Sequence, residues 1–393
     1  MRLRTLPIFL AFFAMGFVDA MGPLASTIQK QYSLSGFMAG LLPAFAFVAF
    51  AIFSVPGGVL AARIGKRNLL VLALVLSGLG VLVPTAVVPG FALLLASVFV
   101  LGVGTTLLQV AGNPIMRDVS GEGRFASNLS LAQFVKGVGS VGSTYLVGRL
   151  AVGELGWRRI FPVFLALTVV TLVSVMVLKV KETRAEVPPS VGSSLSLLGE
   201  PAFGLAVLGI FLYVGAEVGM NTWLGPRLES LGFTAERFTF FGLDLGRAST
   251  ALGSTLFFVG LTSGRLLGSG VLRTIAAKTF FRLSATLGFV GILGVLSGVP
   301  ALAVAGVLLA GLGFGNIWPV LFSLTVEARP ERSAELSGLM CMAIFGGAVL
   351  PPLMGRVADT VGLGTAFLVP LAAFAYLLAL AMRGGAKSPA KAA

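Results

Sequence analysis

The chain has 393 residues, of which 56% are hydrophobic and only 11% charged, with 52 glycines. Soluble domains carry about 25% charged residues, so this composition excludes an ordinary water-soluble globule and points to a protein of the lipid bilayer. The formal net charge of +13 does not point to nucleic acid, because the basic residues stand in short clusters between apolar runs and not along one face. With no histidine and a single cysteine, Cys341, the chain offers no histidine metal site or proton relay, no intramolecular disulfide and no thiolate cluster. No metal and no cofactor is expected.

In chain order, Met1, Arg2, Leu3 and Arg4 precede an apolar run that outlasts a signal-peptide core, carries Asp19 and offers no convincing cleavage site. It reads as a first membrane span. A spanning helix needs about 20 apolar residues. On that measure twelve spans are predicted, at 5–28, 37–62, 68–88, 90–115, 127–150, 159–179, 201–225, 249–271, 280–298, 301–326, 334–355 and 363–382. Turn signals such as Val88-Pro89-Gly90 and Gly298-Val299-Pro300 fall between them. Residues 180–199 form the one long polar connection, with Lys181, Arg184, Pro188, Pro189 and a Ser/Gly-rich tail. They are expected to be a flexible cytoplasmic linker between two six-span bundles, 1–179 and 200–382, with 383–393 as a cytoplasmic tail.

The basic residues set the expected orientation. With the N-terminus inside, the inner segments hold Arg63, Lys66, Arg67, Arg117, Arg124, Lys179, Lys181, Arg273, Lys278, Arg282, Arg329 and Arg332, and the outer segments hold fewer. Both termini are therefore expected to be cytoplasmic. The halves also echo each other: Leu146-Val147-Gly148-Arg149 closes the fifth span and Leu353-Met354-Gly355-Arg356 the eleventh. Gly102 and Gly104 in the fourth span match Gly311 and Gly313 in the tenth. The expected fold is an all-α membrane protein of twelve transmembrane helices in two six-helix pseudo-repeat halves. In such a transporter the site is expected between the halves near the midplane.

The stretch from Gly102 to Gly148 concentrates polar groups in apolar surroundings, where amides and charges are costly unless a cavity or partner receives them. Gln109 and Asn113 are four apart on the fourth span; Gln133 and Lys136 are three apart on the fifth and share a face. Amides both donate and accept, as sugar hydroxyls require, and their alternative role is to bond helix to helix. In the second half, Glu217 and Asn221 share a face of the seventh span, and Asn316 and Trp318 add an amide and a flat ring in the tenth. These residues, with Gln109, Asn113, Gln133 and Lys136, are the candidates for substrate contact, Glu217 being instead a cation-coupling candidate beside Asp19. Lys136 is open to three readings: pairing with Asp19 or Glu217, a structural ion pair, or contact with an anionic substrate group. Arg63, Lys66, Arg67, Arg149 and Arg356 are gating or structural candidates, Asp359 being a local partner for Arg356. Gly137, Gly139, Gly142, Gly346 and Gly347 are expected to permit close helix approach.

Several stretches carry a resemblance: Leu34-Ser35-Gly36-Phe37-Met38-Ala39-Gly40, Leu108-Gln109-Val110-Ala111-Gly112-Asn113-Pro114, Asn128-Leu129-Ser130-Leu131-Ala132-Gln133, Tyr213-Val214-Gly215-Ala216-Glu217-Val218, Trp318-Pro319-Val320-Leu321-Phe322-Ser323-Leu324 and Phe345 to Gly355. On these the chain resembles the major facilitator superfamily, and within it the fucose/glucose/galactose:cation symporter family. The resemblance implies secondary transport of a small-molecule substrate, a sugar, by alternating access with a co-transported proton, sodium being the other ion. It further implies a multi-pass monomer in a bacterial-type inner membrane. Three departures stand out. Ala62 takes the place of an acid that the superfamily usually carries after span two, an acid that sugar-family members also tend to lack. The family's carboxylate in span one lies at the level of Pro23, about one turn from Asp19. Where the family usually has an amide in span five, this chain has Lys136.

No enzymatic reading survives, since there is no phosphate-binding loop of the Gly-x-x-x-x-Gly-Lys type and no nucleophile–base set. The alternatives are a facilitator or antiporter for an anionic metabolite or efflux substrate, on account of Lys136, and a channel.

Overall fold

The computed structural model describes residues 5–34, 36–150, 156–183, 189–232, 239–240, 243–244 and 248–383. A bilayer offers no water to the backbone, so an apolar chain that crosses it must satisfy each N–H and C=O internally, and the helix does so within one segment. The chain follows that rule. In order, the helices are α1 (Leu6–Met15), α2 (Met21–Gln31), α3 (Gly36–Ile64), α4 (Lys66–Ala86), α5 (Phe91–Val119), α6 (Phe125–Leu150), α7 (Ile160–Met176), α8 (Val191–Ser196), α9 (Pro201–Ser230), α10 (Ala248–Val271), α11 (Ala277–Leu296), α12 (Pro300–Phe314), α13 (Ile317–Ala328), α14 (Ser333–Met342), α15 (Gly346–Val361), α16 (Leu363–Ala366) and α17 (Leu368–Met382). A 3-10 segment, Gly16–Ala20, joins α1 to α2. The described strand structure is one antiparallel pair, Thr239–Phe240 with Leu243–Asp244.

Among the described residues, nine helical stretches are long and apolar enough to cross a membrane, and Leu6–Ala20 is apolar but shorter. Helix ends follow local chemistry. Pro201 and Pro300 open α9 and α12, where a missing N–H costs nothing. Gly65 alone separates α3 from α4; its φ of 93° is open to glycine at little cost, which makes so abrupt a reversal possible.

The chain divides into two compact units: Met1–Leu197 with Val326–Met342, and Leu198–Thr325 with Ala343–Ala393. In the first, Trp157, Phe161, Phe164 and Phe17 form a buried aromatic core, with the rings of Phe17 and Phe164 stacked at 4.7 Å. The Gly16–Ala20 segment meets α6 backbone to backbone: a Cβ on Gly16 would lie 2.6 Å from the carbonyl carbon of Gly139, and one on Gly139 would strike Phe13 O. Gly142, read from sequence as another close-approach glycine, faces open space instead. α14 also lies against α3, since a Cβ on Gly58 would be 2.6 Å from Ala334 O and one on Gly338 2.8 Å from Ser54 O. In the second unit Phe314 stacks on Phe374 at 4.1 Å and meets Phe257 edge-on at 5.1 Å.

The polar connection, expected to be a flexible linker, is helical in its second part. Ser190 and Ser193 form a reciprocal capping box at the start of α8, and a 3-10 turn, Leu197–Gly199, continues it. Ser194 Oγ donates to Glu335 Oε1 at 3.1 Å, and Arg332 Nη2 donates to Ser193 O at 2.9 Å, so α8 is tied to α14. Residues 184–188 of this connection lie outside the described residues.

The Gly16–Gly139 crossing makes a direct prediction. Gly16→Val overpacks a backbone contact and should cost about 1–3 kcal/mol or more, seen as a lowered thermal unfolding temperature in detergent. Gly142→Ala should leave that temperature unchanged. Equal behaviour of the two would refute the close crossing.

Candidate functional site

In the first unit the polar candidates converge from three helices. Gln109 and Asn113 sit one turn apart on α5, and both are buried. Gln133 on α6 is also buried, and its Nε2 donates to Asn113 Oδ1 at 3.4 Å. Asn113 Nδ2 in turn reaches Cys341 Sγ on α14 at 3.9 Å, and Ser337 Oγ donates to Val110 O at 2.8 Å. The amides thus bond helix to helix. Asn128 lies apart, donating to Ser120 Oγ at 2.9 Å.

Asp19 and Lys136 belong to the same neighbourhood. Asp19 is the one exposed residue of the Gly16–Ala20 segment, and its Oδ2 accepts a hydrogen bond from Ser140 Oγ at 2.5 Å. Ser140 is one turn beyond Lys136 on α6, so both charges lie on the close crossing made by Gly16 and Gly139. The sequence reading of a Lys136 pair with Asp19 is not realised as a direct contact: among the described residues Lys136 makes no ion pair, and its half-buried ammonium stands near the Cys341 thiol. Ser140, the actual partner of Asp19, escaped the sequence reading because serine at helix positions is common and carries no signal of its own.

The second unit pairs its carboxylate differently. Glu217 on α9 accepts an ion pair from Arg265 on α10 at 3.7 Å, with the side chains 19% and 10% exposed. Arg265 Nε donates to Gly315 O at 3.2 Å, and Asn316 Nδ2 donates to Gly264 O at 2.6 Å. Gly315 and Asn316 separate α12 from α13, so two adjacent residues of α10 clamp the two residues of the break. A helix break frees backbone carbonyls, and a buried one needs such a donor. Arg265 lies within the predicted span 249–271, and no local pattern marks its partner. The Tyr213 hydroxyl, one turn before Glu217, is buried beside the Glu217–Arg265 pair. Trp318 is buried, stacked on Phe322 at 5.9 Å, and its Nε1 has no hydrogen-bond partner among the described residues. Asn221 is half-buried, and its carbonyl accepts from Ser254 Oγ at 2.8 Å.

The basic candidates near the α3–α4 joint are tied down. Lys66 Nζ pairs with Asp118 Oδ2 at 2.6 Å, and the two side chains are 3% and 0% exposed. Glu182 caps α4, accepting from the backbone N–H of Lys66 at 2.8 Å and of Arg67 at 2.9 Å. Arg67 donates to the carbonyls of Val175 and Met176, and Arg63 to Pro189 O at 3.4 Å. Neither Asp118 nor Glu182 was singled out from sequence, because nothing local marks a partner more than fifty residues away. Arg356 is exposed and forms no ion pair with Asp359 among the described residues. The side chain of Arg149 lies outside the described residues.

The Lys66–Asp118 pair is buried, so Asp118→Asn leaves an uncompensated ammonium and should destabilise by about 3–5 kcal/mol. The double variant Lys66→Met with Asp118→Leu should recover much of that loss in a thermal unfolding assay. Equal losses in the single and double variants would show that the pair carries no special cost.

The profile of the Major Facilitator Superfamily matches residues 8–245, more than half of the chain. The chain is 27% identical over 388 residues to a protein named glucose/galactose transporter from Brucella abortus biovar 1 (strain 9-941), covering 94% of this chain and 90% of that one. It is 24% identical over 397 residues to the L-fucose-proton symporter of Escherichia coli (strain K12), covering 91% and 87%. The crystal structure of FucP, a major facilitator transporter in the outward conformation, superposes with a TM-score of 0.83 at 20% identity, covering 97% of this chain and 98% of that one. An all-helical fold of this kind, shared along nearly the whole length, and a superfamily profile over more than half the residues have one reading: the chain belongs to the Major Facilitator Superfamily.

Proposed function

We propose that the protein is a secondary active transporter that moves a sugar across the membrane by alternating access, together with a proton. The observation that carries this is the near-complete alignment with proteins named for glucose/galactose transport and L-fucose-proton symport. The chemistry agrees: an amide cluster on α5 and α6 offers paired donors and acceptors, and two carboxylates, Asp19 and Glu217, stand within apolar helices. On this reading Gln109, Asn113, Gln133 and Lys136 of the first unit contact the solute. Asn316 spends its amide donor on the helix break and is assigned to holding it open. Asp19 and Glu217 are the coupling sites. For Glu217 the gain or loss of a proton changes whether Arg265 has an anionic partner, and Arg265 holds the broken helix.

We read α1 with α2, α6 and α10 as three further spans beside the nine, giving twelve, with both termini on the cytoplasmic side of a bacterial-type inner membrane. The protein acts as a monomer and performs no covalent chemistry. The charge clusters at Arg63, Lys66, Arg67 and Arg332 then lie at the cytoplasmic ends, in keeping with the basic bias of that face. A second reading, transport of an anionic metabolite by a facilitator or antiporter, is favoured by one observation, the Lys136 ammonium without an ion pair among the described residues.

In proteoliposomes with an inward proton gradient, labelled monosaccharide should accumulate above its equilibrium level, and a sodium gradient alone should not drive it. Glu217→Gln should abolish accumulation and spare counterflow exchange, because the coupling group is lost while the solute contacts remain. Accumulation that persists in Glu217→Gln removes this residue as a coupling site. Ohmic, non-saturating flux would contradict a transporter altogether.

A further inference from the structure

We infer that the transported sugar is an acidic one, a hexuronate, whose carboxylate is held by Lys136 while Asp19 carries the co-transported proton; this rests on the sugar-transport reading above. Asp19 is exposed between buried neighbours, Phe17, Val18, Ala20 and Met21. A carboxylate that is open in an apolar helix faces water, because lipid does not solvate it. Ser140 Oγ holds it at 2.5 Å, and Lys136 lies one turn away on the same helix, half-buried and without an ion pair among the described residues. The Gly16–Ala20 segment packs against α1, α2, α3, α5 and α6. On those helices Lys30, Arg63, Arg117, Asp118 and Arg149 all stand in the last turn, so Lys136 is the charge in mid-helix alongside Asp19.

The two charges make a balance. Empty, the site holds one carboxylate and one ammonium and is neutral overall. A proton on Asp19 with a neutral sugar would leave Lys136 as a net positive charge at membrane depth, which is costly to carry across. A proton on Asp19 with a carboxylate on Lys136 restores neutrality: the proton is taken from the proton-rich side onto Asp19, Lys136 keeps its own proton, and both proton and sugar leave on the other side. Empty and loaded forms then change access with no net charge to carry. The neighbouring amides of Asn113 and Gln133 supply hydrogen bonds for ring hydroxyls, which a simple carboxylate lacks.

The test uses purified full-length protein in proteoliposomes, with labelled galacturonate and glucuronate against galactose and glucose. Uronate uptake should be driven by a proton gradient and should not change when a membrane potential is imposed with potassium and valinomycin. Lys136→Asn should cut uronate uptake by about tenfold or more, the loss of a charge-assisted hydrogen bond, while a monodisperse elution profile and an unchanged thermal unfolding temperature in detergent show that the variant is folded. Uptake of neutral hexoses without inhibition by uronates would overturn the inference and leave the sugar-symport reading standing. Uptake of neither class would overturn both. Uronate uptake that follows the membrane potential, or that survives Lys136→Asn unchanged, would refute the charge balance.

Discussion

The bilayer interior supplies no hydrogen bonds, and that constraint orders most of what is seen here. It forces the chain into helices, and it makes each polar group within them answerable to a partner or to an aqueous cavity. Most are answered at once. Lys66 has Asp118, Glu217 has Arg265, Gln133 has Asn113, and the Gly315 carbonyl at the helix break receives Arg265. Others have no hydrogen-bond partner among the described residues, the Trp318 Nε1 and the Asn316 Oδ1 among them, and the Lys136 ammonium has no ion pair there.

Glycine provides the complementary device. At Gly16 and Gly139, and again at Gly58 and Gly338, the absence of a side chain lets backbones touch. The first of these contacts brings the Asp19 segment onto α6 beside Ser140 and Lys136. Packing and chemistry are therefore one feature at that crossing: a residue with a Cβ at Gly16 would separate the carboxylate from its serine as well as part the helices.

The helices were legible in the sequence because hydropathy reports burial in lipid directly. The apolar runs from Leu41 to Ile64 and from Phe91 to Val119 are structural helices close to the limits that composition suggests. Pairwise chemistry was legible only where spacing along one helix settles it, as for Gln109 with Asn113. It was hidden where partners lie far apart in the chain. Glu182 reaches the start of α4 across more than a hundred residues, and Arg265 meets Glu217 from another helix. Asn316 looked like a binding amide, yet its Nδ2 holds Gly264 O, a role that depends on a helix break no local pattern announces. The capping box at Ser190 and Ser193 used serine in both positions, which concealed α8 within a polar connection.

Carboxylates that carry protons with the solute can be detected without a labelled substrate. Proteoliposomes in lightly buffered medium should turn the external solution alkaline when a transported monosaccharide is added outside, with a stoichiometry near one proton per sugar. Saturable sugar uptake with no change in external pH would contradict proton coupling.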